Sequence, residues 1–223
     1  MKISKKTLSI LKNFANINPN IFVPAGSKLA TINTHETVFA SCVVDEIFPT
    51  TFAIYDLNKF LSALSLFEDP EISFGETSMT VIQGNTQLTY VYADPSTILY
   101  PKKTEMNVDD YSVSFNLSKD KHNILSVIKS SLVLDLPQFS FVGDGNSLSL
   151  ILSNKKNPST DSIVVSLDQP TDKVFEAVLM RDRLELLPGD YSMEISMRGI
   201  VHWINTDMSV QYWTTTDKNY SKF

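Results

Sequence analysis

The chain has 223 residues, of which 43% are hydrophobic and 20% are charged, and its formal net charge is −6. This composition is ordinary for a globular protein and excludes long disorder and fibrous repeats. No run approaches the length of a membrane-spanning helix, so we expect a soluble cytoplasmic chain without a membrane partner. Cys42 stands alone, and the three histidines and seven glycines form no ligand cluster or phosphate loop, so we expect neither a metal site nor a cofactor.

The opening stretch predicts an amphipathic helix over residues 3 to about 16. At about 100° per residue, its apolar side chains share one face, which requires a core. The opposite face carries Lys2, Lys5, Lys6 and Lys12 and no acid. In an acidic chain such a face fits an anionic partner, although an ordinary solvated helix face would have the same pattern.

Short β-rich runs between residues 21 and 55 predict an antiparallel meander. Asp56 then caps a second predicted helix, residues 57–67, whose polar face includes Lys59. Further strands are predicted between residues 72 and 92. Residues 94–110 contain two prolines and no sustained period, so they form the candidate linker between domains 1–107 and 108–223.

The second half repeats this order of elements. Residues 112–117 alternate as a strand, and Ser118 caps a third predicted helix whose polar face includes Lys119, His122 and Lys129. Residues 143–146 predict a hairpin turn, and a fourth short helix is predicted over residues 181–187, before Pro188. The sequence therefore predicts an α+β protein with two similar domains of antiparallel sheets and two helices in each.

The predicted helices carry a net positive charge, although the whole chain is acidic. This distribution is expected if the helices face a polyanion while the outer surface repels one. The helix faces lack the aromatic side chains that stack single-stranded bases, and they lack an arginine-rich stripe. We therefore expect contact with the phosphates of a duplex without base reading. The alternative, that lysines simply occupy solvent-facing positions, stays open at this stage.

Several stretches resemble one known family. They are residues 1–5 with 11–15, residues 53–58 with 60–61 and 64–66, residues 93–97, and residues 187–191. These stretches resemble the sliding clamps of T-even-type bacteriophages, the processivity factors of their replicative DNA polymerases. The resemblance implies two domains of the DNA-clamp fold, each presenting two helices to a central hole, and a homotrimeric ring around duplex DNA.

The resemblance also implies partners and a place of action. The expected partners are double-stranded DNA, the C-terminal peptide of the replicative polymerase, an ATP-dependent clamp loader, late-transcription factors and further copies of this chain. The expected location is the cytoplasm of an infected bacterial host. The residues expected to face DNA are Lys2, Lys5, Lys6, Lys12, Lys59, Lys119, His122, Lys129 and Arg181. The expected partner-peptide pocket comprises Ile98, Leu99, Tyr100, Tyr212 and Trp213.

Two other functions compete with a clamp. A hydrolase could use the adjacent acids at residues 45–46 or 109–110, but neighbouring carboxylates on a strand point to opposite faces, and no histidine, lysine or glycine loop accompanies them. We therefore expect no enzymatic activity. A structural virion-type β-protein would explain the strands but not the lysines on helices. A clamp should form a ring-shaped trimer, whereas a shell protein should form large assemblies.

Overall fold

Antiparallel strands and three α-helices make up the computed structural model, which describes residues 1–157 and 159–223. The chain divides into a first unit, Met1–Met106, and a second unit, Asn107–Phe223. The helices are α1 (Lys5–Ile17), α2 (Leu57–Leu64) and α3 (Ile124–Val133). The strands of the first unit are β1 (Ile21–Val23), β2 (Gly26–Ile32), β3 (Val38–Phe48), β4 (Phe52–Ile54), β5 (Glu71–Phe74), β6 (Ser78–Gln83) and β7 (Thr86–Val91). The strands of the second unit are β8 (Tyr111–Leu117), β9 (Gln138–Asp144), β10 (Ser147–Ser153), β11 (Ile163–Pro170), β12 (Val174–Met180), β13 (Tyr191–Ser196), β14 (Ile200–Asn205) and β15 (Val210–Thr215).

In the first unit, α1 and α2 pack against each other, and α1 also contacts β2 and β3. The strands pair antiparallel, β1 with β4, β2 with β3, and β5, β6 and β7 in that order. Ile10, Phe14, Leu29 and Phe60 are almost fully buried and form part of the core. The apolar face predicted for the opening helix is therefore confirmed.

In the second unit, one antiparallel sheet has the order β11, β10, β9, β12. In another, β15, β14, β13 and β8 follow one another. Phe141 of the first sheet contacts Phe115 and Trp203 of the second, with ring centroids 5.5 Å and 5.6 Å apart. The predicted turn at residues 143–146 joins β9 to β10, and Gly145 adopts φ +88° there, which an L side chain rarely adopts. The α+β class with antiparallel sheets is confirmed.

The third helix begins later than the sequence pattern predicts. Ser118 does not cap it; Asn123 does, because its side chain accepts a hydrogen bond from the backbone N–H of Ser126. The intervening residues form a turn in which the backbone N–H of Lys119 donates to Asp190. Lys119 and His122 consequently precede α3 and do not lie on it. Local capping rules consider only neighbouring residues, so they do not predict a turn that is held by this tertiary hydrogen bond.

The fourth predicted helix, residues 181–187, is wrong. Only a short 3-10 turn, Arg181–Arg183, forms there. The next three residues alternate: Leu184 and Leu186 are buried while Glu185 is exposed, and Leu187 after them is buried as well. This period of two is that of extended chain, and it lets both leucines reach the core from one side. Each unit was expected to hold two helices, but α3 is the only α-helix among the described residues of the second unit.

No helix in residues 1–157 and 159–223 is long and apolar enough to cross a membrane.

Candidate nucleic-acid interface

The exposed faces of α1 and α2 carry lysines. Lys5, Lys12 and Lys59 are exposed, and Lys6 is half-buried. Because the two helices pack against each other through their apolar sides, the structure brings these four predicted residues onto one pair of adjacent helices. Neither helix contains an acid or an arginine. The combined surface is therefore cationic, and each positive charge ends a flexible side chain.

Ion pairs separate the predicted lysines into two groups. Lys2 pairs with Asp69, and this hydrogen bond raises the pKa of Lys2. Lys119 lies 3.4 Å from Asp207, whose charge raises the pKa of Lys119. Within the part of the chain that the structure describes, the other predicted lysines form no ion pair: Lys5, Lys6, Lys12, Lys59 and Lys129. This second group has its charge free for an external anion.

The second unit presents fewer helical lysines than the sequence predicts. Lys129 is exposed on α3. Lys119, Asn123 and Lys129 line a cavity of about 400 Å³ at the start of that helix. The Nδ1 atom of His122 accepts a hydrogen bond from the backbone N–H of Ser118, 3.3 Å away, so its imidazole takes part in the turn before α3.

Arg181 is engaged within the protein. Its guanidinium donates to the carbonyl oxygen of Ser131, 2.9 Å away, and lies 3.8 Å from a carboxylate oxygen of Asp135. These contacts tie the end of β12 to the end of α3. A phosphate contact by Arg181 would compete with them.

The first part of the predicted peptide pocket follows β7. Tyr100 stacks on Phe22 with ring centroids 4.4 Å apart. The carbonyl oxygen of Leu99 accepts a hydrogen bond from the Asn18 side chain, and 36% of Leu99 is exposed. Ile98 is half-buried. This segment is thus fixed to the first unit while Leu99 remains accessible.

The second part of the predicted pocket lies on β15. Tyr212 is completely buried, and its hydroxyl accepts a hydrogen bond from the backbone N–H of Leu187. Trp213 points to the other face of the strand, where it stacks on His202 with centroids 4.3 Å apart and donates to the Tyr111 hydroxyl. Trp213 is 6% exposed. Adjacent residues on a strand cannot both line one pocket on one face.

Sequence reasoning missed a larger recess in the second unit. A cavity of about 620 Å³ is lined by apolar Met197, Ile200 and Phe223 and by basic Arg198 and Lys218. These residues come from the β13–β14 turn, from the start of β14 and from the chain after β15. The separation of the two segments in sequence left no local pattern that could indicate the recess.

Sequence reasoning also missed the role of Glu46, which it treated only as one of two adjacent acids. Asp45 is exposed and Glu46 is 9% exposed, as expected for opposite faces of β3. One Glu46 carboxylate oxygen accepts from the backbone N–H of Ser4 at 2.5 Å, and the other accepts from the Thr7 hydroxyl at 2.5 Å. Burial raises the pKa of Glu46, but these hydrogen bonds outweigh burial and hold the pKa below its ordinary value. A charged carboxylate therefore lies at the N-terminus of α1.

Comparison with known proteins shows which family this chain belongs to. Residues 2–100 match the family model of the DNA polymerase processivity factor. The sliding clamp of Enterobacteria phage T4 is 30% identical over 210 residues, which cover 93% of this chain and 83% of the relative. The chain belongs to the sliding clamp family. The sliding clamp of Vibrio phage KVP40 is 29% identical over 223 residues, covering 97% of this chain and 99% of the relative.

The clamp fold extends to proteins with little sequence similarity. A. fulgidus PCNA, solved with the C-terminal region of FEN-1 bound, has a TM-score of 0.68 at 11% identity and covers 94% of each chain. This similarity shows the fold alone. Together with the family membership, it confirms the resemblance to phage sliding clamps and the DNA-clamp fold. The function that follows from the family is that of a DNA polymerase processivity factor in phage replication.

Proposed function

We propose that this clamp encircles duplex DNA as a homotrimeric ring and tethers the replicative polymerase to it. The two clamp domains in this proposal are residues 1–107 and 108–223. The observation that carries the proposal is the exposed, unpaired lysines on α1, α2 and α3, three helices whose sequences contain no acid. A polyanion in the hole would meet positive charge from every subunit, while the acidic remainder of the chain would repel DNA from the outer surface.

Two open strand edges support ring closure. The outer edge of β5 is occupied, since Ile72 and Met1 exchange hydrogen bonds there, and the outer edge of β12 is bridged by Lys222. At the opposite ends of these two sheets, β7 and β11 each pair on one side only within the described chain. The unpaired N–H and C=O groups of such an edge can pair with a strand of another chain. Pairing β7 of one copy with β11 of the next would give a head-to-tail contact, which closes into a ring when the rotation per subunit fits.

Exposed apolar side chains accompany both edges. Val91 on β7 is 70% exposed and Val164 on β11 is 66% exposed. Leu66, just after α2, is 82% exposed, and Val133, at the end of α3, is 83% exposed. In an isolated chain these side chains would lie in water, whereas an interface between copies would bury them.

The remaining partners follow from the family. We include the polymerase C-terminal peptide, an ATP-dependent clamp loader and late-transcription factors. The PCNA of A. fulgidus binds the C-terminal region of another protein, which supports peptide docking on this fold. Leu99 and its neighbours Ile98 and Tyr100 are the proposed peptide contacts, because Tyr212 and Trp213 are both buried.

Solution mass tests the ring. Light scattering across a dilution series should give a mass of three chains. A monomer at tens of micromolar, or a dimer, would contradict the proposal. The ring should also stay on closed circular DNA after loading by its cognate loader and leave when the circle is cut, because the link would be topological. Retention on the cut DNA would instead indicate ordinary binding.

A further inference from the structure

The outer edge of β12 is closed by the segment that follows β15. Alternate residues of an antiparallel strand direct their N–H and C=O groups to opposite sides, and on β12 those of Glu176 and Val178 point away from β9. The N–H of Glu176 donates to the carbonyl oxygen of Lys222, and the N–H of Lys222 donates back to that of Glu176, both at 2.8 Å. The carbonyl oxygen of Val178 accepts from the N–H of Asp217 at 2.7 Å, and the N–H of Val178 donates to the Ser221 hydroxyl at 3.0 Å. All four groups that the middle of this edge offers are therefore occupied.

The closing segment, residues 217–222, is here called the strap, and it does not create a new open edge. A further strand laid beside β12 would only move the open edge outward. The strap folds instead into a compact turn, in which the N–H groups of Tyr220 and Ser221 donate to the carbonyl oxygen of Asp217. The pairing of Lys222 with Glu176 is an isolated bridge. The strap therefore satisfies β12 without presenting a ladder of its own to another strand.

Without the strap, the β12 edge would be suited to pairing with another strand. β12 has seven residues, and Val174 at its start is 76% exposed. The open edge strands β7 and β11 have six and eight residues, and their Val91 and Val164 are similarly exposed. Long edge strands with exposed apolar side chains favour pairing between chains. The strap is thus the feature that distinguishes β12 from the two edges proposed to join the copies.

The first unit has the same asymmetry in the sheet formed by β5, β6 and β7. The amino group of Met1 donates to the carbonyl oxygen of Ile72 on β5 at 2.9 Å, and the N–H of Ile72 donates to the carbonyl oxygen of Met1 at 2.7 Å. In each unit, one sheet is therefore closed at one end by residues from outside the sheet and is open at the other end within the described chain.

We propose that the strap and Met1 direct the association of copies, because they close β12 and β5 and leave β7 and β11 as the free ends of these two sheets. This inference rests on the proposed ring. A head-to-tail ring requires one kind of contact, β7 of one copy with β11 of the next. If β12 were open as well, a strand of another copy could pair at either end of the sheet. Such a second contact would relate the copies by a different rotation and would extend the assembly instead of closing it.

The decisive variant combines Ser221→Ala with Lys222→Pro. Alanine removes the hydroxyl that accepts from the N–H of Val178, and proline removes the N–H that donates to Glu176. Lys222→Ala is the matched control, since it removes the same charged side chain but keeps the backbone N–H and the Ser221 hydroxyl. A difference between the double variant and this control therefore reflects the hydrogen bonds of the strap.

The first measurement is hydrogen exchange, resolved to single residues by mass spectrometry. The N–H groups of Glu176 and Val178 should exchange at least about tenfold faster in the double variant than in the control, because their edge is open to water. The N–H of Ala177, which faces β9, should exchange equally in both proteins. Equal exchange at Glu176 and Val178 would show that the strap does not close the edge and would overturn the proposal.

The second measurement is solution mass by light scattering across a dilution series. The mass of the double variant should rise with concentration to at least about twice that of the control, because a second edge of the sheet can then pair. Equal masses at every concentration would overturn the proposal.

Adding Val174→Lys to the double variant separates pairing at β12 from association caused by a loss of folded structure. The lysine places a charge on the opened edge, so the mass should return to that of the control. Extra association that persists would arise elsewhere in the protein and would contradict the proposal. If the parent is itself a monomer, the proposed ring fails, and the comparison of the double variant with the control still decides whether the strap prevents pairing at β12.

Discussion

The lysines without ion pairs should dominate the attraction to DNA. Lys12 is exposed on an acid-free helix and pairs with no acid in the described chain, whereas Lys119 lies 3.4 Å from Asp207. Lys12→Ala should therefore remove more attraction than Lys119→Ala. Lys156→Ala is the control, because Lys156 is exposed in a loop and is not among the residues expected to face DNA.

The magnitude follows from counterion release. Each lost phosphate contact lowers the slope of log K against log salt by about 0.9. A trimer carries Lys12 three times, so Lys12→Ala should lower the slope by between about 0.9 and 2.7, depending on how many copies touch the duplex at once. Lys119→Ala should lower it by less, because its aspartate partner already neutralises part of the charge. Lys156→Ala should leave the slope unchanged.

Fluorescence anisotropy with two labelled duplexes of unrelated sequence, read across a range of KCl concentrations, measures these slopes. Both duplexes should lose affinity equally, since phosphates carry no sequence information. The reasoning fails if Lys12→Ala behaves as Lys156→Ala does. It fails equally if the loss depends on the sequence of the duplex.

Four further predictions concern the interface, the pocket, acid stability and the thiol. Val91→Lys should weaken trimer association at least tenfold, because it places a charge on an open strand edge. Val174→Lys, at a site that is 76% exposed on β12, should leave trimer association unchanged, and sedimentation of the two variants compares them. Leu99→Ala should weaken binding of the polymerase C-terminal peptide by roughly thirtyfold if Leu99 is an anchor, as calorimetry on the intact trimer can measure. Parental affinity in this variant would show that the peptide binds at another site. The folded pKa of Glu46 lies below the ordinary value of 4.5, so the stability that the Glu46 carboxylate contributes is present above pH 4.5 and is lost as the pH falls through the folded pKa. Acid unfolding curves of the parent and of Glu46→Gln should therefore converge at low pH. Burial raises the pKa of Cys42 to about 12, so alkylation of the native protein at pH 8 should be about a thousandfold slower than that of the unfolded chain, and equal rates would contradict this burial.

Local periodicity predicted the elements that packing did not override. The apolar face of α1 and its Lys5 and Lys12 face were visible because the helix repeats its pattern over several turns. Over residues 181–187 the helical reading failed because the alternation of Leu184, Glu185 and Leu186 is as good a match to extended chain. In so short a segment the choice between helix and extended chain depends on how the leucines are buried by the rest of the protein, which the local sequence does not show.

Contacts between distant residues set the limit of the prediction for the site. Glu46 and Ser4 are 42 positions apart, so no local motif could indicate that an acid on β3 accepts a hydrogen bond from the residue that caps α1. The pocket at Tyr212 and Trp213 contained an avoidable error, because the strand period already places neighbours on opposite faces. Arg181 was expected to face DNA from its charge and position, and its contact with Ser131 depends on the end of a helix 50 residues away.

Lysine and arginine occupy different places in this protein, and their different chemistry explains why. The chain has three arginines, and each is engaged inside its unit: Arg181 with Ser131, Arg183 with the Thr215 carbonyl oxygen, and Arg198 with Asp110. None lies on an α-helix, where all the positive charges are lysines. Arginine binds phosphate in a fixed, two-pronged geometry, whereas lysine is a point charge on a flexible stem. A ring that must hold DNA and still move along it needs attraction without fixed geometry, so arginine belongs in the framework and lysine belongs on the surface that we propose faces the duplex.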